Sequence, residues 1–230
     1  MASPDRWTVE SRLEGGMQRG ASLVRDERGG PGVLKWIGVD AADAFAVVED
    51  ARAHGYPTPR WLDHGTTDDG RSWCVMELVD GAPIGDLDVH SARVIVELVT
   101  LQRTITPPTE RCWTSLGRTD ELVHSDLTVQ NILLRPDGTV AGVIDFDEAS
   151  RGCAALDLLS PAVNAVVWHS DPAAVDVLHG FARESYDDDA IARSADVVER
   201  FVADWYRHAI PDRWPEIEQS IARWRASLPG

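Results

Sequence analysis

The stretch LVHSDLTVQNILLRPDGTVAGVIDFDEAS, residues 122–150, concentrates side chains able to do chemistry. His124, Asp126 and Asn131 precede one apolar run, and Asp145 closes a second. One carboxylate, one amide oxygen and waters suit a hard, oxygen-seeking ion such as magnesium, which keeps part of its hydration shell. Asp126, five residues ahead of Asn131, can then stand beside the ion as a proton acceptor. Phosphoryl transfer calls for this combination, because its transition state needs an aligned nucleophile and neutralised phosphate oxygens more than covalent help.

These residues need elements to bring them together. Asn131–Leu134, the Pro136-Asp137-Gly138 turn and Val140–Ile144 read as a β-hairpin, which carries Asn131 and Asp145 toward one point. Asp and Asn are common at turns, so each residue alone has an ordinary explanation. Their joint order, with apolar strands between them, is far more specific. Upstream, Trp7–Leu13, Ala21–Arg25, Val33–Ile37, Arg60–His64 and Ser72–Leu78 read as strands. Asp40 caps a helix that ends at Gly55, before Pro57 and Pro59. Downstream, helices are expected over 89–104, 154–169, 172–184, 188–208 and 214–227. The expected organisation is α+β, with a strand-rich part over 1–80 and a helical part over 81–230.

The 122–150 segment closely resembles the aminoglycoside phosphotransferase family of protein-kinase-like small-molecule kinases. Family members read His-Gly-Asp-Leu-x-x-x-Asn and then Ile-Asp-Trp or Ile-Asp-Phe. This chain has His124-Ser125-Asp126-Leu127, Asn131 and Ile144-Asp145-Phe146. The likeness continues through Ala149, Gly152 and Asp157-Leu158, with Ser125 in place of the usual glycine and Cys153-Ala154 in place of Asp-Pro. It implies a bilobal fold with a small antiparallel-sheet lobe and a mostly helical one. It also implies ATP or GTP as donor, Asp126 as catalytic base, Asn131 and Asp145 as magnesium ligands, and Asp157 as a buried support for the catalytic loop. Lys35, in the third strand, would reach the α and β phosphates, with Glu49 or Asp43 as its acidic partner. Gly15, Gly16 and Gly20, between two strands, would bring backbone N–H groups near the phosphates. Backbone groups at Glu77 and Val79 would hold the base.

The acceptor implied by the likeness is a hydroxyl of a small cationic molecule, with Asp147 and Glu148 flanking the active loop and antibiotic resistance as a role. Asp187-Asp188-Asp189 reads more simply as a helix start, and Trp205, Tyr206, Trp214 and Trp224 fall at helical spacings typical of core. A net charge of −16, from 38 acidic and 22 basic residues, argues against nucleic acid or membrane as partners. No apolar stretch reaches the ~20 residues of a membrane span. Three widely spaced cysteines and the absence of a signal-peptide pattern give a cytoplasmic, reducing compartment as the expectation. Two other readings are open: a nucleotide-binding pseudokinase serving as a regulatory module, and a metal-dependent hydrolase built on His124, Asp126, Asp145 and Asp147.

Overall fold

Strands form where the sequence alternates. The computed structural model describes residues 4–13, 20–113 and 120–228. β1 (Thr8–Leu13), β2 (Ala21–Arg25), β3 (Pro31–Ile37), β4 (Trp61–Thr66) and β5 (Ser72–Glu77) make one antiparallel sheet in the order β1-β2-β3-β5-β4. Its apolar face buries Trp7, Val24, Leu34, Trp73 and Val75 together. Each such side chain contributes about 1.5–3 kcal/mol through burial. In the middle of the sheet, Lys35 on β3 sits opposite Ala21 of β2 and Cys74 of β5.

Between β3 and β4 runs α1 (Ala41–Ala53). The Asp40 side chain accepts the otherwise orphaned amides of Ala42 and Asp43 at 3.0 and 2.9 Å, which starts the helix. Ala41, Ala44, Val47, Val48 and Ala51 lie at helical spacing and are buried.

The chain folds as two compact units, one of residues 1–82 and 133–149, the other of 83–132 and 150–230. Besides the five-stranded sheet and α1, the first unit holds most of a three-stranded sheet of β6 (Ala82–Pro83), β8 (Ile132–Leu134) and β9 (Val140–Val143). The β8–β9 hairpin is the one expected from Asn131–Leu134 and Val140–Ile144. Gly81 lets it approach closely: a Cβ there would stand 2.8 Å from the Cβ of Ala141.

The second unit is helical, with α2 (Val89–Gln102), α3 (Ala155–Val167), α4 (Pro172–Ser185), α5 (Asp188–Ala209) and α6 (Trp214–Ala226). α3 is buried almost throughout and is packed by all four other helices. A two-stranded ribbon of β7 (Glu121–Val123) and β10 (Ser150–Gly152) pairs Val123 with Ser150 and Glu121 with Gly152. Sequence reading does not anticipate it, since three residues are too few for an alternating pattern. The fold is α+β, antiparallel sheet first and helices after, as expected.

Candidate active site

In the helical unit, β7 delivers the chain to a loop that starts at His124. The loop is held by one buried acid, Asp157, in the first turn of α3. Its Oδ2 accepts the amide of His124 at 2.6 Å and Gln102 Nε2 at 3.0 Å, and its Oδ1 accepts the amide of Ser125 at 2.9 Å. Burial pushes the Asp157 carboxyl up to about 7, against the pull of these donors toward the charged form. The grip fixes Ser125 at φ 76°, the left-handed region that favours glycine. His124 is fully buried, and its Nδ1 accepts the amide of Asp126 at 3.3 Å.

Asp126 is half-buried and tied to Asn131. Asn131 Nδ2 donates to the Asp126 carbonyl at 2.8 Å and to its Oδ2 at 3.0 Å. With its nitrogen so committed, the Asn131 amide leaves its oxygen as the remaining donor atom for a cation. The base candidate and one metal-ligand candidate are thus brought together.

A second cluster lies in the sheet unit, with Lys35 at its centre. Lys35 Nζ donates to Asp145 Oδ1 and, at 2.5 Å, to Asp147 Oδ1. The two acids reach it because β9 is anchored by the amide of Val143 on the Pro57 carbonyl at 2.8 Å, and because Phe146 packs on Tyr56 with ring centroids 5.3 Å apart. Asp145 takes a left-handed backbone at φ 62°, a conformation that Asp tolerates better than most residues. Burial works against the charge on Lys35, yet Asp147 and Asp145 together raise its pKa above the ordinary lysine value. Burial likewise pushes the Asp147 carboxyl up, while Lys35 pulls it down.

The two carboxylates differ in exposure. The side chain of Asp145 is 45% exposed and that of Asp147 only 3%. Asp147, expected to face an acceptor, is instead buried against Lys35. Of the helix acids considered as partners for Lys35, Glu49 stands 3.9 Å from Arg52. The residues meeting Lys35 come from the segment after β9, a pairing across 110 positions that spacing does not reveal. Asp145 in the sheet unit offers an exposed carboxylate and Asn131 in the helical unit an amide oxygen, each the type of donor that a hard divalent cation takes.

The remaining candidates divide. Glu77 donates its amide to the Arg60 carbonyl at 2.9 Å, so a base contact at that residue falls to its carbonyl. Val79 follows in the same stretch and is half-buried. Gly20 has φ 60°, whereas Gly15 and Gly16 lie outside the described residues. Glu148 is exposed. Asp187 caps α5 by accepting the amide of Ala190 at 2.7 Å, the helix-start role. Tyr206 and Trp224 are core, and Trp224 donates to His179 Nε2 at 3.2 Å. Gln102 escapes sequence reading, although a glutamine on the apolar face of α2 is the signal that could have found it.

Comparison with known proteins gives a consistent result. No curated protein matches the chain by sequence. Solved structures share its fold at low identity. One is an amicoumacin kinase in complex with AMP-PNP, Ca2+ and Ami, at 12% identity and a TM-score of 0.66, covering 99% of this chain and 90% of that one. Another is a thermostable mutant of the aminoglycoside phosphotransferase APH(4)-Ia in a ternary complex with ADP and hygromycin B. It has 13% identity, covers 97% and 95% of the two chains, and gives a TM-score of 0.67. A third is an aminoglycoside phosphotransferase from Alicyclobacillus acidocaldarius, at 13% identity, 96% and 90% coverage and a TM-score of 0.64. The model of the phosphotransferase enzyme family matches residues 109–191. That segment, which carries Asp126, Asn131, Asp145 and Asp157, is similar to the phosphotransferase enzyme family.

Proposed function

We propose that the protein is a kinase that uses ATP or GTP with magnesium to phosphorylate a hydroxyl of a small cationic molecule, an aminoglycoside or another antibiotic being the class favoured. The observation that carries this reading is the meeting of Lys35 with Asp145 inside one unit. A phosphate-binding lysine beside a metal-binding aspartate is what a nucleotide's phosphates require. The family match over 109–191 and the nucleotide complexes of fold relatives support it.

In this reading Lys35 binds the α and β phosphates, and the backbone N–H of Gly20 serves them as well. Backbone groups at Glu77 and Val79 hold the base. Magnesium, when bound, would neutralise charge on the phosphoryl group, with Asp145 and Asn131 as its protein ligands. Asp126 orients the acceptor hydroxyl and takes its proton. Its carboxylate is steadied by Asn131, and its loop by Asp157. Glu148 is exposed and acidic, which suits a cationic acceptor. The burial of His124, with Nδ1 engaged by the Asp126 amide, disfavours the hydrolase reading.

Screening aminoglycosides, cyclic peptide antibiotics and amino alcohols for acceptor-stimulated ADP or GDP release tests the proposal. At least one cationic acceptor is expected to stimulate release. Nucleotide binding without stimulation by any acceptor would favour the regulatory pseudokinase instead. Asp145→Asn should weaken nucleotide binding in magnesium and leave it unchanged in chelator; equal loss in both would remove Asp145 from the metal site.

A further inference from the structure

The two carboxylates at Lys35 are not equivalent, and the difference assigns one of them a role. Asp145 is nearly half exposed, sits on a left-handed backbone and is the residue proposed above to bind metal. Once a cation takes its charge, Asp145 is a weakened partner for Lys35. Asp147 is 3% exposed, its Oδ1 is 2.5 Å from Lys35 Nζ, and its backbone follows Phe146, which is locked on Tyr56. A buried carboxylate is stable only when paired, and a buried ammonium likewise, so this pair holds each partner in place. Lys35 also has its stem fixed in the central strand, opposite Cys74.

We infer that Asp147 is the positioning residue for Lys35: it holds the ammonium in reach of the nucleotide's phosphates and remains its buried partner when a cation takes over Asp145. The inference rests on the kinase reading and deepens it. The anchoring acid comes from two residues beyond the metal aspartate, so lysine and metal ligand are set by one short segment. Lys35 meets both carboxylates here, and without Asp147 its whole charge would fall on Asp145, the carboxylate that the cation needs.

The test is a double-variant cycle on nucleotide affinity, measured by calorimetry on the full chain with ATP, in magnesium and in chelator. Lys35→Met and Asp147→Asn are each expected to lower affinity ~10-fold, the effect of losing a charge-assisted phosphate contact. The double variant is expected to be no weaker than Lys35→Met alone. For Asp147→Asn alone, raising the magnesium concentration should recover part of the loss, because lysine and cation compete for Asp145. Losses that multiply in the double variant, or an unaffected Asp147→Asn, would overturn the proposal. Where Asp147→Asn folds poorly, thermal unfolding decides: Lys35→Met added to it should restore the midpoint, since the unpaired ammonium is gone. Failure to restore it would mean that Asp147 serves the fold independently of Lys35. Should Lys35→Met lower affinity while Asp147→Asn does not, the positioning role falls and the kinase reading stands. A folded wild type that binds neither ATP nor GTP would end both.

Discussion

Ser125 stands where the motif that the chain resembles reads glycine, and its φ of 76° lies in the left-handed region that favours glycine. A Cβ in the left-handed region costs roughly 1–2 kcal/mol, and glycine's greater freedom in the unfolded chain returns part of that. Ser125→Gly should therefore stabilise the protein by ~0.5–1 kcal/mol in denaturant unfolding with turnover retained; destabilisation would mean that the serine side chain holds the loop. The other departure has an equally local answer. Alanine at 154, unlike proline, has an amide, and Glu121 Oε2 accepts it at 2.8 Å while also taking the Tyr186 hydroxyl at 3.2 Å. Asp157 allows a prediction on pH. Its folded pKa of about 7 exceeds the ordinary 3.8, so the folded state binds the proton more tightly and stability falls as pH rises through that window. Asp157→Asn removes this dependence, so its penalty, roughly 1–3 kcal/mol for lost acceptors, should shrink by up to about 1.4 kcal/mol per pH unit on going from pH 5.5 to 7.0. Chemical unfolding across that range checks it, and a constant penalty would contradict it. Residue types in the loop could be read from the sequence. That Asp147 is buried and belongs to Lys35 could not, because exposure is a property of packing.

At the scale of elements, the sequence carried most of the information. Asp40, the glycine and proline at 55 and 57, and the Pro136-Asp137-Gly138 turn are local signals with local causes, and α1 and the hairpin form beside them. β7 and β10 were illegible because a three-residue strand is made by its partner: Val123 faces Ser150 only after the whole hairpin intervenes. Gly81 illustrates the same limit. Nothing in its neighbours predicts that the β8–β9 hairpin passes so close, yet an added Cβ would meet Ala141 at 2.8 Å and Leu133 at 3.1 Å. Gly81→Val should overpack this contact and cost about 1–3 kcal/mol. Thermal unfolding would register the loss, and an unchanged midpoint would mean that the hairpin moves aside freely.

At the scale of the whole molecule, an excess of 16 negative charges creates a field that attracts cations over a Debye length of about 8 Å at physiological salt. The KM for a cationic acceptor should therefore rise with ionic strength, while that for an uncharged acceptor should not. Parallel salt titrations of the two would separate the field from specific contacts. In the proposed reaction Asp126, tied to Asn131, takes the proton from an acceptor hydroxyl. Asp126→Asn keeps the shape and removes that capacity, and general-base assistance amounts to ~10²–10⁴-fold. The decisive measurement pairs steady-state turnover on an acceptor found by the screen with magnesium–ATP affinity by calorimetry, for wild type and Asp126→Asn. The expected result is turnover down by at least ~10²-fold with nucleotide affinity nearly unchanged. Turnover within a few-fold of wild type would contradict it.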